Sequence, residues 1–234
     1  MANIFWGRRK IEKMKKIIDL SLDLKDGMIT YPSTSHIPFE TSIVGRIEIE
    51  GRETRKFTMG SHCGTHIDAP KHFIKGSKSV TDFDVNDMIG DALLIDLGVL
   101  PPKSIVTLNH IKSQFEKNKN IKRVLFRSNW SRFWGTSQFY NDWPYFEEEV
   151  ALFLIAKKVK LVGLDFPSPD SQFFGNECSI DSPNHKLFFN AEIILTEYLT
   201  NLDKLEKGWV FLIVSPLKLI DFDGAPARVT AYNL

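Results

Sequence analysis

The segment "SHCGTHIDAPKHF" (61–73) holds His62, His66 and His72, three of the six histidines in a chain of 234 residues, with Asp68 among them. Neutral imidazole and carboxylate suit zinc, manganese or iron, and ligands close in sequence commonly share one ion. The spacing constrains the backbone. His62 and His66 stand at i and i+4, as on one helix face, but Gly64, the β-branched Thr65 and Ile67, and Pro70 disfavour a helix. In a fully extended strand these two histidines lie roughly 13 Å apart, too far to share an ion. The chain must therefore bend between them, and Gly64, with no Cβ, permits the bend. His66 and Asp68, two apart, share a strand face without bending. Pro70 ends the segment and presents His72 nearby. Cys63, beside His62, points the other way and packs. The competing reading is a polar loop whose histidines cap or hydrogen-bond; the His-x3-His-x-Asp-x3-His spacing in a histidine-poor chain favours the metal.

The elements that must carry these groups follow from hydrophobic periodicity. "IIDLSLDL" alternates Leu20, Leu22 and Leu24 and predicts a strand. Residues 39–60 predict two strands with a turn at Gly51. "ALLIDLG" (92–98), "RVLFRS" (123–128), "KLVGLDFPS" (160–168), "EIILTEYL" (192–199) and "WVFLIVSPLKL" (209–219) read as buried strands. Helical spacing marks "TLNHIKSQFEK" (107–117), with Thr107 as N-cap, "FEEEVALFLIAKK" (146–158), the strongest helix, and "NHKLFFNA" (184–191). Strands outnumber helices and are scattered among them, which predicts α/β or α+β with a mixed sheet. No linker divides residues 15–234, so we expect one domain after a basic extension, 1–14.

Composition excludes several classes. Thirty Lys and Arg against twenty-nine Asp and Glu leave a net charge of +1, with no broad basic field for nucleic acid. The longest apolar runs are far too short to span a bilayer, and the N-terminal residues lack a continuous apolar signal region. Two cysteines, Cys63 and Cys178, make no disulfide framework. The expectation is a cytoplasmic, enzyme-sized protein with reduced thiols.

"HCGTHIDAPKHF" resembles the His-x-Gly-Thr-His-x-Asp-x-Pro-x-His-Phe signature of the metal-dependent hydrolases of the cyclase family, which includes bacterial kynurenine formamidase (arylformamidase) and isatin hydrolase. "IIDLSLDLKDGMITYP", "LFRSNWSRFW", "KLVGLDFPSPD" and "PLKLIDFDGAPARV" are similar to further family segments, so the resemblance covers about residues 15–230. It implies an α/β mixed-sheet fold of the swivelling β/β/α type and a homodimer or homotetramer. It implies one or two divalent metals per chain, zinc or manganese. His62, His66 and Asp68 would hold the first, with Asp68 bridging to a second held by His185 and Glu197. Glu197 stands inside an otherwise apolar strand, where a carboxylate needs a partner; Glu192 is its rival, closer to a helix end. The resemblance gives His72 general acid/base work, suited to its ordinary pKa near neutrality. The implied reaction is hydrolysis of an amide or lactam C–N bond by metal-activated water, with N-formylkynurenine the leading substrate. Isatin-type lactams or other cyclic or aromatic carbonyls are the alternatives, and a non-catalytic binding protein of the same fold is a third.

Softer candidates remain. Trp130, Trp134 and Trp143, with Phe133 and Tyr140, would line an aromatic substrate pocket or serve as core or interface residues. Ser168 sits at a strand end, where site residues gather, and is a candidate for substrate binding. Asp165 reads as structural, and Arg228 as the partner of a carboxylate. His36 and His110 read as surface residues.

Overall fold

The apolar runs form a mixed sheet that closes on itself around the histidine segment. The computed structural model describes residues 15–172 and 181–234. The extension 1–14 and Cys178 lie outside the described residues. In chain order the strands are β1 (Ile18–Asp19), β2 (Glu40–Gly45), β3 (Thr54–Thr58), β4 (His66–Asp68), β5 (Ile89–Asp96), β6 (Ile105–Val106), β7 (Arg123–Arg127), β8 (Tyr145–Phe146), β9 (Leu161–Leu164), β10 (Ile194–Glu197), β11 (Gly208–Pro216) and β12 (Gly224–Asn233). The helices are α1 (Ile47–Glu50), α2 (Val85–Met88), α3 (Leu108–Glu116), α4 (Glu148–Ala156) and α5 (Pro183–Asn190).

The main sheet has the order β1-β12-β11-β5-β7-β9-β10-β4, and β4 also pairs with β12. β4 is thus the closing stave of a barrel-like ring, with β1 attached outside it. β5, β7, β9 and β10 run parallel, whereas β4, β11 and β12 are antiparallel to their neighbours. This is the mixed α/β single-domain fold expected. Strand alternation builds two cores. Ala92 and Leu94 of β5 join Ile67, Leu125, Ile194, Leu212 and Ala225, drawn from around the ring, so this cluster fills the barrel. Leu93 and Ile95 face outward instead, with Phe126 and Leu195, under Phe115 of α3, Leu154 of α4 and Phe188 of α5.

Three sequence expectations change. The strand at "IIDLSLDL" pairs over Ile18–Asp19 alone; beyond it the Leu22 N–H donates to the Thr65 hydroxyl at 2.9 Å. Between the two strands of 39–60 the chain makes the short helix α1, which ends where Gly51 takes φ +72°, a left-handed cap favoured by glycine. The longest strand, β12, was not anticipated, because Gly224 and Pro226 are poor strand residues. Thr107 does cap α3, reciprocally with His110, which is exposed. Among the described residues no helix is long and apolar enough to cross a membrane.

Candidate metal centre

The bend required between His62 and His66 occurs at Gly64, which has φ +68°. The His66 ring then turns back, its Nδ1 2.8 Å from the Gly64 carbonyl oxygen. β4 is flanked on both sides: His66 stands opposite Glu197 of β10 and Pro226 of β12, and Asp68 opposite Leu195 and Gly224. Because Ile67 points into the barrel, His66 and Asp68 point out. Leu195 belongs to the outer core, so Glu197, two residues on, faces the same way. α5 lies over this face and delivers His185. Pro183 occupies its first turn, where the missing N–H is harmless. The Asp170 carboxylate caps the helix, accepting from the Asn184 N–H at 2.7 Å and the His185 N–H at 3.1 Å.

The side chains converge on Asp68. Its Oδ1 is 2.7 Å from His62 Nδ1 and 3.1 Å from His66 Nε2, while Oδ2 is 3.6 Å from His185 Nε2. Glu197 lies 3.3 Å from His185 Nε2 through Oε1 and 3.6 Å from His66 Nε2 through Oε2. Two triplets, His62/His66/Asp68 and Asp68/His185/Glu197, each have their potential ligand atoms within 4.8 Å of one another. One carboxylate thus faces both groups.

The remaining ring nitrogens are tied down. His66 Nδ1 meets the Gly64 carbonyl, His185 Nδ1 meets Asp170 at 2.6 Å, and His62 Nε2 meets Asp223 at 2.8 Å. Metal-ligating imidazoles are held this way, with one nitrogen fixed from behind and the other presented. Among the described residues, His66 Nε2 and Glu197 Oε1 are buried and make no hydrogen bond, although Asp68 Oδ1 and His185 Nε2 lie 3.1 and 3.3 Å away. Buried polar atoms are rarely left so. A nitrogen and carboxylate donor set with such orphans fits zinc or manganese.

Burial and mutual charge set the electrostatics. Burial disfavours the charged form of His62, but Asp68 and Asp223 outweigh it and push the imidazole up to about 10. Burial would raise Asp68, yet His62, His66 and His185 hold it well below the ordinary carboxylate range. His185 is raised well above its ordinary value: burial opposes this, but Asp170, Asp68 and Glu197 prevail. Glu197 is raised by burial and then by the Asp68 charge. His72 is lowered, by burial first, although its hydrogen bond to Asp223 pulls the other way.

A cavity of about 440 Å³ opens onto these groups. Its aromatic lining comes from Tyr31, Phe73, Trp143 and Tyr198, and its polar lining includes Ser33, Ser168 and Lys186. His72 lines it too, with its side chain 26% exposed. Ser168 is therefore at the cavity, though its hydroxyl also accepts the Asp170 N–H at 3.0 Å. Two expectations about aromatics are corrected. Trp130 is fully buried, its Nε1–H donating to the Phe139 carbonyl at 3.0 Å, and it does not reach the cavity. Trp134 packs on Phe139, Tyr140 and Tyr198, one layer behind the lining. His36 is not simply a surface residue: it lines the cavity 6.1 Å from His62 between ring centres, and burial and the nearby histidines lower it to about 4.

The other residues fall as follows. Glu192 is exposed and pairs with Lys78 at 2.7 Å, away from the triplets. Asp165 is buried and accepts from Ser128 and Asn129 N–H groups, Arg228 pairs with Asp19, and Cys63 is buried. Asp170 and Asp223 escaped the sequence reading. The signal for both was the family resemblance: Asp170 ends "KLVGLDFPSPD", and Asp223 is the aspartate of the Asp-Gly-x-Pro-x-Arg pattern in "PLKLIDFDGAPARV", two residues after the exposed Asp221.

Comparison with known proteins bears on this geometry. A family model described as "Putative cyclase" matches residues 18–171. The kynurenine formamidase of Bacillus anthracis is 33% identical over 219 residues, covering 92% of this chain and 97% of that protein. Isatin hydrolase A from Labrenzia aggregata, solved with benzyl benzoate, superimposes with a TM-score of 0.82 at 25% identity, covering 92% of this chain and 93% of the other. A solved potential metal-dependent hydrolase with cyclase activity gives a TM-score of 0.74 at 27% identity, over 94% of this chain and 98% of the other.

Proposed function

The chain belongs to the cyclase family, and from that premise we propose that it is a metal-dependent amidohydrolase whose leading substrate is N-formylkynurenine, cleaved to kynurenine and formate. The observation that carries the reading is the pair of orphaned buried atoms, His66 Nε2 and Glu197 Oε1, facing a carboxylate shared by two triplets. His62, His66 and Asp68 would hold one divalent cation, and Asp68, His185 and Glu197 a second, zinc or manganese in each case. Bound there, the metal supplies Lewis acidity and lowers the pKa of water to roughly 7.

The chain's own residues do the rest. Tyr31, Phe73, Trp143 and Tyr198 give the cavity aromatic walls for an aryl ring. His72 has Nδ1 engaged by Asp223 at 3.0 Å, which leaves Nε2 to exchange a proton. Burial lowers the His72 pKa and so favours the neutral ring, which accepts a proton from water as it adds to the formyl carbon. The same nitrogen then returns the proton to the aniline nitrogen as the C–N bond breaks. The products are an amine and formate, and no covalent enzyme intermediate is needed. The likeness to isatin hydrolase favours a second reading, opening of a cyclic aryl lactam by the same steps. The exposed Ile43, Val44, Ile47, Ile49 and Phe57 around β2 and β3 support self-association as a homodimer or homotetramer.

The test is a turnover panel of N-formylkynurenine, isatin and simple formanilides with added zinc or manganese, alongside elemental analysis. Release of formate from N-formylkynurenine by protein with one to two divalent ions per chain is the expected result. Full activity in metal-free protein, or no hydrolysis of any of these amides, overturns the reading.

A further inference from the structure

Asp223 precedes β12 and faces the acid/base histidine across more than a hundred residues of chain. One of its oxygens, Oδ2, lies 2.8 Å from His62 Nε2 and 3.0 Å from His72 Nδ1. Its other oxygen, Oδ1, accepts the Ser61 hydroxyl at 3.0 Å. The two imidazoles are drawn to a ring-centre separation of 4.0 Å. The aspartate itself is anchored, because its carbonyl accepts the Ala69 N–H at 2.9 Å, directly beyond β4. The following residue, Gly224, is paired with Asp68. The backbone of His72 is also tied to β4, its N–H donating to the Ala69 carbonyl at 2.9 Å. That bond leaves the ring free to turn about χ1 and χ2. Asp223 supplies the constraint that the backbone does not.

We propose that Asp223 is a positioning residue: a single carboxylate oxygen receives both imidazole N–H groups and fixes the proton-carrying ring of His72 relative to the metal-holding ring of His62. Accepting at Nδ1 also selects the His72 tautomer whose Nε2 lone pair faces the cavity. The proposal rests on the amidohydrolase reading for its consequence in turnover, but its geometry stands independently.

The experiment compares Asp223→Ala and Asp223→Asn with the wild-type chain at saturating zinc. The readouts are kcat and KM for N-formylkynurenine, bound metal, and the downfield ring N–H signals of selectively labelled histidine by NMR. In Asn the amide oxygen takes the place of Oδ2 and still accepts both N–H groups. Alanine should lower kcat by about 100-fold, the usual worth of a well-placed proton carrier, with little change in KM. Asparagine should stay within about tenfold of wild type, since the acceptor is kept. The hydrogen-bonded His72 signal should vanish in alanine and persist in asparagine. Three results overturn the proposal: Asp223→Ala keeps a wild-type kcat at saturating zinc and is impaired only at limiting zinc, so that the residue acts only through His62; Asp223→Asn is as impaired as alanine, so that charge and not the acceptor matters; or the His72 signal survives in alanine. If wild-type protein hydrolyses no amide in the panel, the functional reading fails, and the NMR comparison still decides the positioning.

Discussion

Replacing Gly224 by alanine tests how closely β12 must approach the centre. A Cβ there would lie 2.5 Å from Cε1, 2.9 Å from Nε2 and 3.0 Å from Nδ1 of His62. Non-bonded carbons settle about 3.5–4.0 Å apart, so the ring must withdraw by about 1 Å. It has nowhere to go without loss, because its two nitrogens sit 2.7 Å from Asp68 and 2.8 Å from Asp223. A withdrawal of that size along the ring plane takes at least one of these to about 3.7 Å, beyond hydrogen-bond range. Disturbing the support of a ligating histidine typically costs about 10–100-fold in metal affinity. Misplacing a reacting group by about 1 Å costs on the order of 100-fold in rate. Overpacking should also lower stability by about 1–3 kcal/mol. The assay is zinc affinity by chelator competition, with kcat at saturating metal and a urea melt as the fold control. Gly60→Ala is the matched comparison, since its nearest contact is an ordinary 3.6 Å to Ile37. A Gly224→Ala protein that binds zinc and turns over like Gly60→Ala would refute the claim that His62 is held at van der Waals limits.

Two further expectations follow from burial and charge. Without a cation His62 is held up to about 10 and so carries a proton at pH 7, and His185 is raised as well. Their ion pairs are fully formed below the ordinary histidine pKa of about 6.5 and are lost only as pH rises through the elevated folded values. Ligation needs neutral imidazole, so metal binding at pH 7 should expel the His62 proton at least, and affinity should weaken as pH falls. Calorimetric zinc titrations in two buffers of different ionisation enthalpy measure this, and heats independent of buffer would contradict it. Trp130→Ala should destabilise the fold by about 3–5 kcal/mol in urea titrations, as for other buried tryptophans, while KM stays unchanged. A raised KM at intact stability would return Trp130 to the cavity wall.

What the sequence made legible is what local geometry controls. Gly64, Thr65, Ile67 and Pro70 exclude a helix, and that exclusion alone demands the bend found at Gly64. Two-residue alternation places His66 with Asp68 and sets Ile67 against them. Glu197 comes from the family resemblance, and its place inside an apolar strand, where a carboxylate needs a partner, agrees with it, whereas Glu192 meets solvent and Lys78. The illegible part is long-range. Asp170 and Asp223 meet histidines 15 and 151 residues away along the chain; the Asp-Gly-x-Pro-x-Arg pattern marks Asp223 apart from the exposed Asp221, but no local pattern names its partner. The aromatic cluster stayed open between pocket and core for a related reason: composition tells how much apolar area a segment carries but not its direction, so Trp130 and Trp143 look alike in sequence, and one is core while the other faces the cavity.

The way the centre is aimed shows where the fold gives up local comfort. Each segment that bears a ligand adjoins a residue in the left-handed region. Gly64 precedes His66, and there glycine bears no penalty. Ser182, at φ +46°, precedes the helix that presents His185, and Tyr198, at φ +59°, follows Glu197 directly. For a bulky residue such a conformation costs on the order of 1–3 kcal/mol and persists only where the surroundings over-determine it. At Tyr198 the surroundings do so from the histidine segment itself: the Thr65 hydroxyl donates to its carbonyl at 2.7 Å, and its ring packs edge-on against His66 at 4.9 Å. The strained turn that points Glu197 at the shared carboxylate is therefore locked by the residues next to the bend that points His66 at it. Strand pairing supplies the same coupling along the backbone, since His66 and Glu197 are register partners. Two side chains far apart in sequence, His66 and Glu197, are thus held to each other by backbone pairing and side-chain contacts, so the two proposed triplets share one framework.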